Sequence, residues 1–102
     1  SELEAVAGNA DIDQVYRDLA VVQIAMNSAN QSNAQEMIAK LAPIAVPENA
    51  WYYSAREMIA LLHVASGDVE AAKPLLTEIA DDTQAPSGMR ARASEILKAV
   101  GA

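Results

Sequence analysis

No cysteine occurs among the 102 residues, which excludes disulfides, thiolate metal ligands and thiol nucleophiles. Phenylalanine is absent too, and β-branched runs are short, so little in the chain favours a sheet. His63 is the single histidine, too few for a histidine metal site, and Ser54, Ser66, Ser87 and Ser94 lack a GxSxG-like context. The four glycines, Gly8, Gly67, Gly88 and Gly101, stand at separate breaks, so no phosphate-cradling loop exists. No catalytic set, cofactor site or metal site can be named, and the chain reads as a non-enzyme. Basic residues are also scarce, seven against 14 acidic ones, and the formal charge of −7 is opposite in sign to a nucleic-acid-binding surface. No apolar stretch approaches the roughly 20 residues that span a bilayer, so membrane insertion by this soluble segment is not expected. Ser1 to Val6 carries no targeting pattern. The whole of 1–102 reads as one domain, the C-terminal piece of a longer protein.

What the chain does have is Ala, Leu, Ile, Met, Glu and Gln throughout, the residues that favour helices. Turn residues divide it into five expected helices, over about residues 13–27, 33–45, 49–66, 68–81 and 86–101. In the first, Val15, Leu19, Val22 and Met26 recur at helical spacing, with Asp11 as N-cap. In the second, Met37, Ile38, Leu41 and Ile44 share a face, Asn33 or Ser32 caps, and Pro43 bends or ends the helix. The third is the most hydrophobic, with Tyr52, Ala55, Ile59, Leu62 and His63 in one stripe and Gly67 as its stop, which makes it the expected central helix. Asp68 caps the fourth, whose face is Leu75, Leu76 and Ile79. Met89, Ala93, Ile96, Leu97 and Val100 line the fifth, a pattern suited to a terminal helix packed on one side.

The helices repeat. Leu75-Leu76-x-x-Ile79 follows Met37-Ile38-x-x-Leu41 by 38 residues, Ile59-Ala60 follows Ile24-Ala25 by 35, and Ile96-Leu97 follows Ile59-Ala60 by 37. That period, with two helices per unit, implies stacked antiparallel helical hairpins: an all-α fold of two hairpins plus a closing helix. Over 49–81 the chain resembles the tetratricopeptide repeat family, with Ala60 at the small position of a first helix, Gly67-Asp68 at the turn, and Ala72 and Leu76 at the small and large positions of a second. It departs from that family where Arg56 and His63 replace usual aromatics and where the terminal proline shifts to Pro86. The segment Ala50-Trp51-Tyr52-Tyr53-Ser54-Ala55-Arg56-Glu57 and the ending Ala85-Pro86-Ser87-Gly88-Met89-Arg90-Ala91-Arg92-Ala93 look similar to membrane-anchored bacterial envelope tetratricopeptide proteins, akin to the ancillary subunit of the SecYEG translocon. That resemblance implies an upstream membrane helix, a periplasmic domain at the inner membrane, and translocon subunits or periplasmic chaperones as partners. The family's carboxylate clamp does not transfer, because Ser54, Glu57, Leu61 and Val64 stand where its Lys and Asn would be.

For binding, the sequence singles out Tyr52, Tyr53, Arg56, Ile59 and His63. Trp51, Tyr52 and Tyr53 point in three directions on consecutive helical positions and cannot all enter one core. Trp51 and Tyr52 are expected against the preceding hairpin, with Tyr53 hydrogen-bonded at its edge. Arg17, Arg56, Arg90 and Arg92 are expected to pair with nearby acids, and Asp11, Asp13, Asp81 and Asp82 to cap and solvate helix ends. The expected function is a protein-interaction scaffold that takes a partner segment on a concave face of first helices. The alternatives are a homo-oligomerisation element and a regulatory subunit beside a catalytic chain.

Overall fold

The computed structural model describes residues 2–8, 13–28, 30 and 32–101. Those residues are all-helical, with six helices and no strand: α1 (Glu2–Gly8), α2 (Gln14–Ser28), α3 (Ala34–Leu41), α4 (Tyr52–Ala65), α5 (Val69–Asp81) and α6 (Ser87–Ala99). The five expected helices form, and α1 precedes them as one the hydrophobic spacing does not reveal.

The helix ends follow local chemistry. The Asp13 carbonyl accepts the Tyr16 and Arg17 amides at 3.0 and 3.2 Å and starts α2; Asp11, the expected cap, lies outside the described residues. Asn33 stands at the N-cap of α3 without a capping bond, its Oδ1 taking the Asn30 amide at 2.7 Å. Pro43, which has no N–H to donate, ends the regular part of α3 at Leu41, and an irregular turn continues to Ile44. Between α4 and α5, Gly67 adopts φ +85°, and its amide bonds the Val64 carbonyl while the Asp68 amide bonds that of His63. This Schellman arrangement closes α4 as the next helix opens under the Asp68 carboxylate, which accepts the Ala71 amide at 3.3 Å. Pro74 sits inside α5 with its ring exposed, leaving one carbonyl of the first turn without its usual helical donor.

Two cores lie on opposite sides of α4. Val22 and Ala25 of α2, Ala34, Met37 and Leu41 of α3, Ile44, and Ala55, Ile59 and Leu62 of α4 form one. Ala60 of α4, Ala72, Leu76 and Ile79 of α5, and Met89 and Ala93 of α6 form the other. The small residues Ala60 and Ala72 are fully buried and let α4 and α5 approach closely, as the repeat reading expects. The described residues span 44 × 31 × 18 Å. α4 packs chiefly against α5 and α3 and also meets α2, the Arg92–Glu57 pair joins it to α6, and Leu75 of α5 reaches across to the core that contains α3.

One expectation fails in α2. Of the stripe Val15, Leu19, Val22 and Met26, only Val22 is buried; Val15 and Met26 are exposed and Leu19 is half-buried. The helix instead turns Asp18, Val22 and Ala25 inward, where Asp18 accepts a hydrogen bond from Asn49, outside its own helix.

Candidate functional site

The predicted binding residues are brought together, but around a polar latch. Arg56, the fifth residue of α4, is only 7% exposed. Its guanidinium donates to Asp82 Oδ2 and to the Tyr52 hydroxyl, both at 2.8 Å, and lies 4.5 Å from the Tyr52 ring centre and 5.4 Å from that of Tyr53. Asp82 follows α5, so the latch ties the loop beyond a hairpin's second helix back to its first. The Arg56 hydrogen bond, aided by the Gln84 amide, holds the Asp82 carboxyl below the usual carboxylate range.

The preceding hairpin carries the same device with other chemistry. Asp18, the fifth residue of α2 and 8% exposed, accepts from Asn49 Nδ2 at 2.8 Å and from Gln14 Nε2 at 2.6 Å. Asn49 lies in the α3–α4 connection, three residues before α4, whereas Asp82 immediately follows α5. Each loop residue also accepts a backbone amide two positions on: Asn49 Oδ1 from Trp51 at 2.8 Å, and Asp82 Oδ1 from Gln84 at 2.9 Å. The two hairpins thus share one local geometry, a buried fifth residue bonded to an Asx turn.

Among the predicted residues, then, Arg56 and Ile59 belong to the interior, and a partner would meet them only if the domain opened. Tyr52 and Tyr53 are half-buried with ring centres 5.1 Å apart. Tyr53 packs against the α5–α6 core rather than hydrogen-bonding at an edge, and Tyr52 lies beneath Arg56. Trp51 packs on the first core as expected, and its indole N–H donates to the Val15 carbonyl of α2 at 2.6 Å. His63 is half-buried at the end of α4, its Nδ1 without a hydrogen bond and 3.9 Å from Asp68 Oδ2.

The expected pairing of arginines with acids holds for two of four, Arg56 and Arg92. Arg56 is latched, Arg92 of α6 grips Glu57 of α4 at 2.9 and 3.1 Å, and Arg17 bonds Gln14. The Glu57 contact raises Arg92 further above its ordinary pKa. Arg90 has a buried Nε without a hydrogen bond. Among the described residues no group of acids and histidines could hold a metal ion, and no helix is long and apolar enough to cross a membrane.

A different surface remains open. Tyr16, Leu19, Gln23 and Met26 fall within one quarter of the α2 circumference, where Tyr16 is 59% and Met26 64% exposed. On α4, Leu61 is 36% exposed and Ala65 is exposed beside it. The two helices run side by side in the same direction, since Trp51 meets Val15 at one end and Leu62 shares a core with Ala25 at the other. Met26, eleven residues beyond Val15, therefore stands level with Leu61. Sequence spacing locates these side chains on first helices but assigns Leu19 and Met26 to the core. A crevice of about 440 Å³ lies on another side, lined by Glu4, Ala7 and Gly8 of α1, Val21 and Ile24 of α2, and Met37 and Lys40 of α3. The chain matches no family model, no curated protein and no solved structure.

Proposed function

We propose that this domain is a protein-interaction scaffold whose receptor surface is the face shared by α2 and α4. The observation that carries the reading is the exposure of Tyr16, Met26 and Leu61 on neighbouring parallel helices, within a fold whose other large apolar side chains are mostly covered. Exposed aromatic and methionine side chains are the usual anchors for a partner helix or extended segment, and methionine adapts to several shapes. The Asn49–Asp18 and Trp51–Val15 hydrogen bonds tie the start of α4 to α2, so that a partner meets a preformed surface. The absence of a nameable catalytic set leaves binding as the activity.

The resemblance to membrane-anchored tetratricopeptide proteins supports a periplasmic setting and puts translocon subunits and periplasmic chaperones first among partners to try. In the homo-oligomer reading, a second copy occupies the same face. The test is site-specific photo-cross-linking in a bacterial envelope extract, with the cross-linker placed in turn at Met26, at Leu61, and at Lys98 of α6, which is 73% exposed. The scaffold reading expects one heterologous partner from Met26 and Leu61, lost when Tyr16 is changed to serine, and absent from Lys98. Cross-links to the domain itself alone would favour the oligomer, and equal labelling from all three positions would reject the face.

A further inference from the structure

We infer that the segment docking on the α2–α4 face is basic, with apolar anchors flanked by lysine or arginine. The inference rests on the scaffold reading and adds the chemistry of the partner. Its basis is the distribution of charges that the fold leaves unmatched. Five of the seven basic side chains are paired with carboxylates: Lys40 with Glu36, Lys73 with Glu70, Lys98 with Glu95, Arg92 with Glu57, and Arg56 with Asp82; Arg17 bonds the neutral Gln14. By contrast Asp13, Glu48, Glu78 and Asp81 are exposed and their carboxylates have no partner.

Two of those four flank the proposed face. Asp13 immediately precedes α2, one turn before Tyr16. Glu48 adjoins Asn49, whose side chain is bonded to Asp18 of α2, so the Glu48 backbone is held beside the same end of the helix pair. At the opposite end, next to Met26, the last turn of α2 contains no basic residue, and its carbonyls present the negative pole of the helix dipole. Both ends of the apolar strip are therefore negative; Arg17, the one cation of α2, bonds the neutral Gln14 and stands about 100° round the helix from Tyr16, off the strip. A net charge of −7 also opposes docking of a second copy on this face, because two such domains repel at moderate ionic strength. Like charges placed opposite each other suppress wrong partners, and opposite charges steer right ones.

The experiment titrates the 102-residue chain with three synthetic amphipathic peptides that share leucine anchors at helical spacing and carry lysine, glutamine or glutamate elsewhere. Fluorescence anisotropy at low and high salt reads the affinity. The lysine peptide should bind at least about tenfold tighter than the glutamate peptide, and the gap should shrink as salt rises. The double variant Asp13→Asn, Glu48→Gln should weaken the lysine peptide by roughly fivefold and leave the glutamine peptide unchanged; asparagine caps a helix as well as aspartate, so α2 stays formed. The variant Met26→Gln, Leu61→Gln separates the two readings, since it should weaken all peptides that use the face. If that variant acts while the glutamate peptide binds as tightly as the lysine peptide, or while the carboxylate variant changes nothing, the basic-partner inference is wrong and the docking face stands. If no peptide responds to the Met26 and Leu61 changes, the face itself is wrong and the inference falls with it.

Discussion

Replacing Leu41 by alanine should unfasten one half of the domain while the other half holds. Leu41 is fully buried in the core of α2, α3 and the near side of α4, whereas Leu76 and Ile79 fill the core on the far side. Among the described residues, Leu75 is the partly buried side chain that packs against both. A buried Leu→Ala change costs about 3 kcal/mol when the site cannot collapse, from lost transfer energy and the cavity left behind. In an array whose units touch mainly their neighbours, that loss falls on the unit that carries it. Native-state hydrogen exchange should therefore show amides of α2 and α3 exchanging roughly 150-fold faster in the variant, with those of α5 and α6 accelerated by less than about tenfold. Leu76→Ala should give the mirror image. Equal acceleration of both halves by either change would refute the argument and make the domain a single cooperative unit.

Three further perturbations test individual features. Gly67→Ala should cost about 1–2 kcal/mol in chemical denaturation, because a Cβ at φ +85° is strained although the space around it is open. Pro74→Ala should stabilise by roughly 1–3 kcal/mol, since the exposed ring interrupts the α5 ladder without filling a core. The depressed pKa of Asp82 sets a sign for acid. Its contribution is present above the ordinary carboxylate value near about 4 and is lost as pH falls through the lower folded value. Thermal melts of Asp82→Asn should thus be less stable than the parent at pH 7 and less sensitive to pH in the acid range; an identical acid slope would contradict the latch.

The parts of the fold legible in the sequence are those set by local chemistry and strong periodicity. Gly67-Asp68 announces a helix end and a cap within two residues, Pro43 removes a donor wherever it sits, and the apolar stripe of α4 is dense enough to mark a central helix. α1 is too short for periodicity to register, although its Leu3-x-x-Val6-Ala7 spacing returns at Ile38-x-x-Leu41-Ala42 and Leu76-x-x-Ile79-Ala80. The orientation of α2 was not legible, because its apolar residues cover a broad arc. Within that arc Asp18 faces inward, where it accepts a hydrogen bond from Asn49, 31 residues away. The same physics misdirects the site. Tyr52, Arg56, Ile59 and His63 read as one face at spacings of four, three and four, and they do share one, but it turns inward around Arg56 because Asp82 waits there, 26 residues on.

The most direct measurement is a methyl NMR titration of the domain with the partner recovered by cross-linking. The methyls of Met26, Leu61 and Leu19 should shift on binding, while Met89, buried between α5 and α6, and the distant Leu97 stay in place. Shifts centred on Met89 and Leu97 with Met26 and Leu61 unmoved would contradict a receptor surface on α2 and α4.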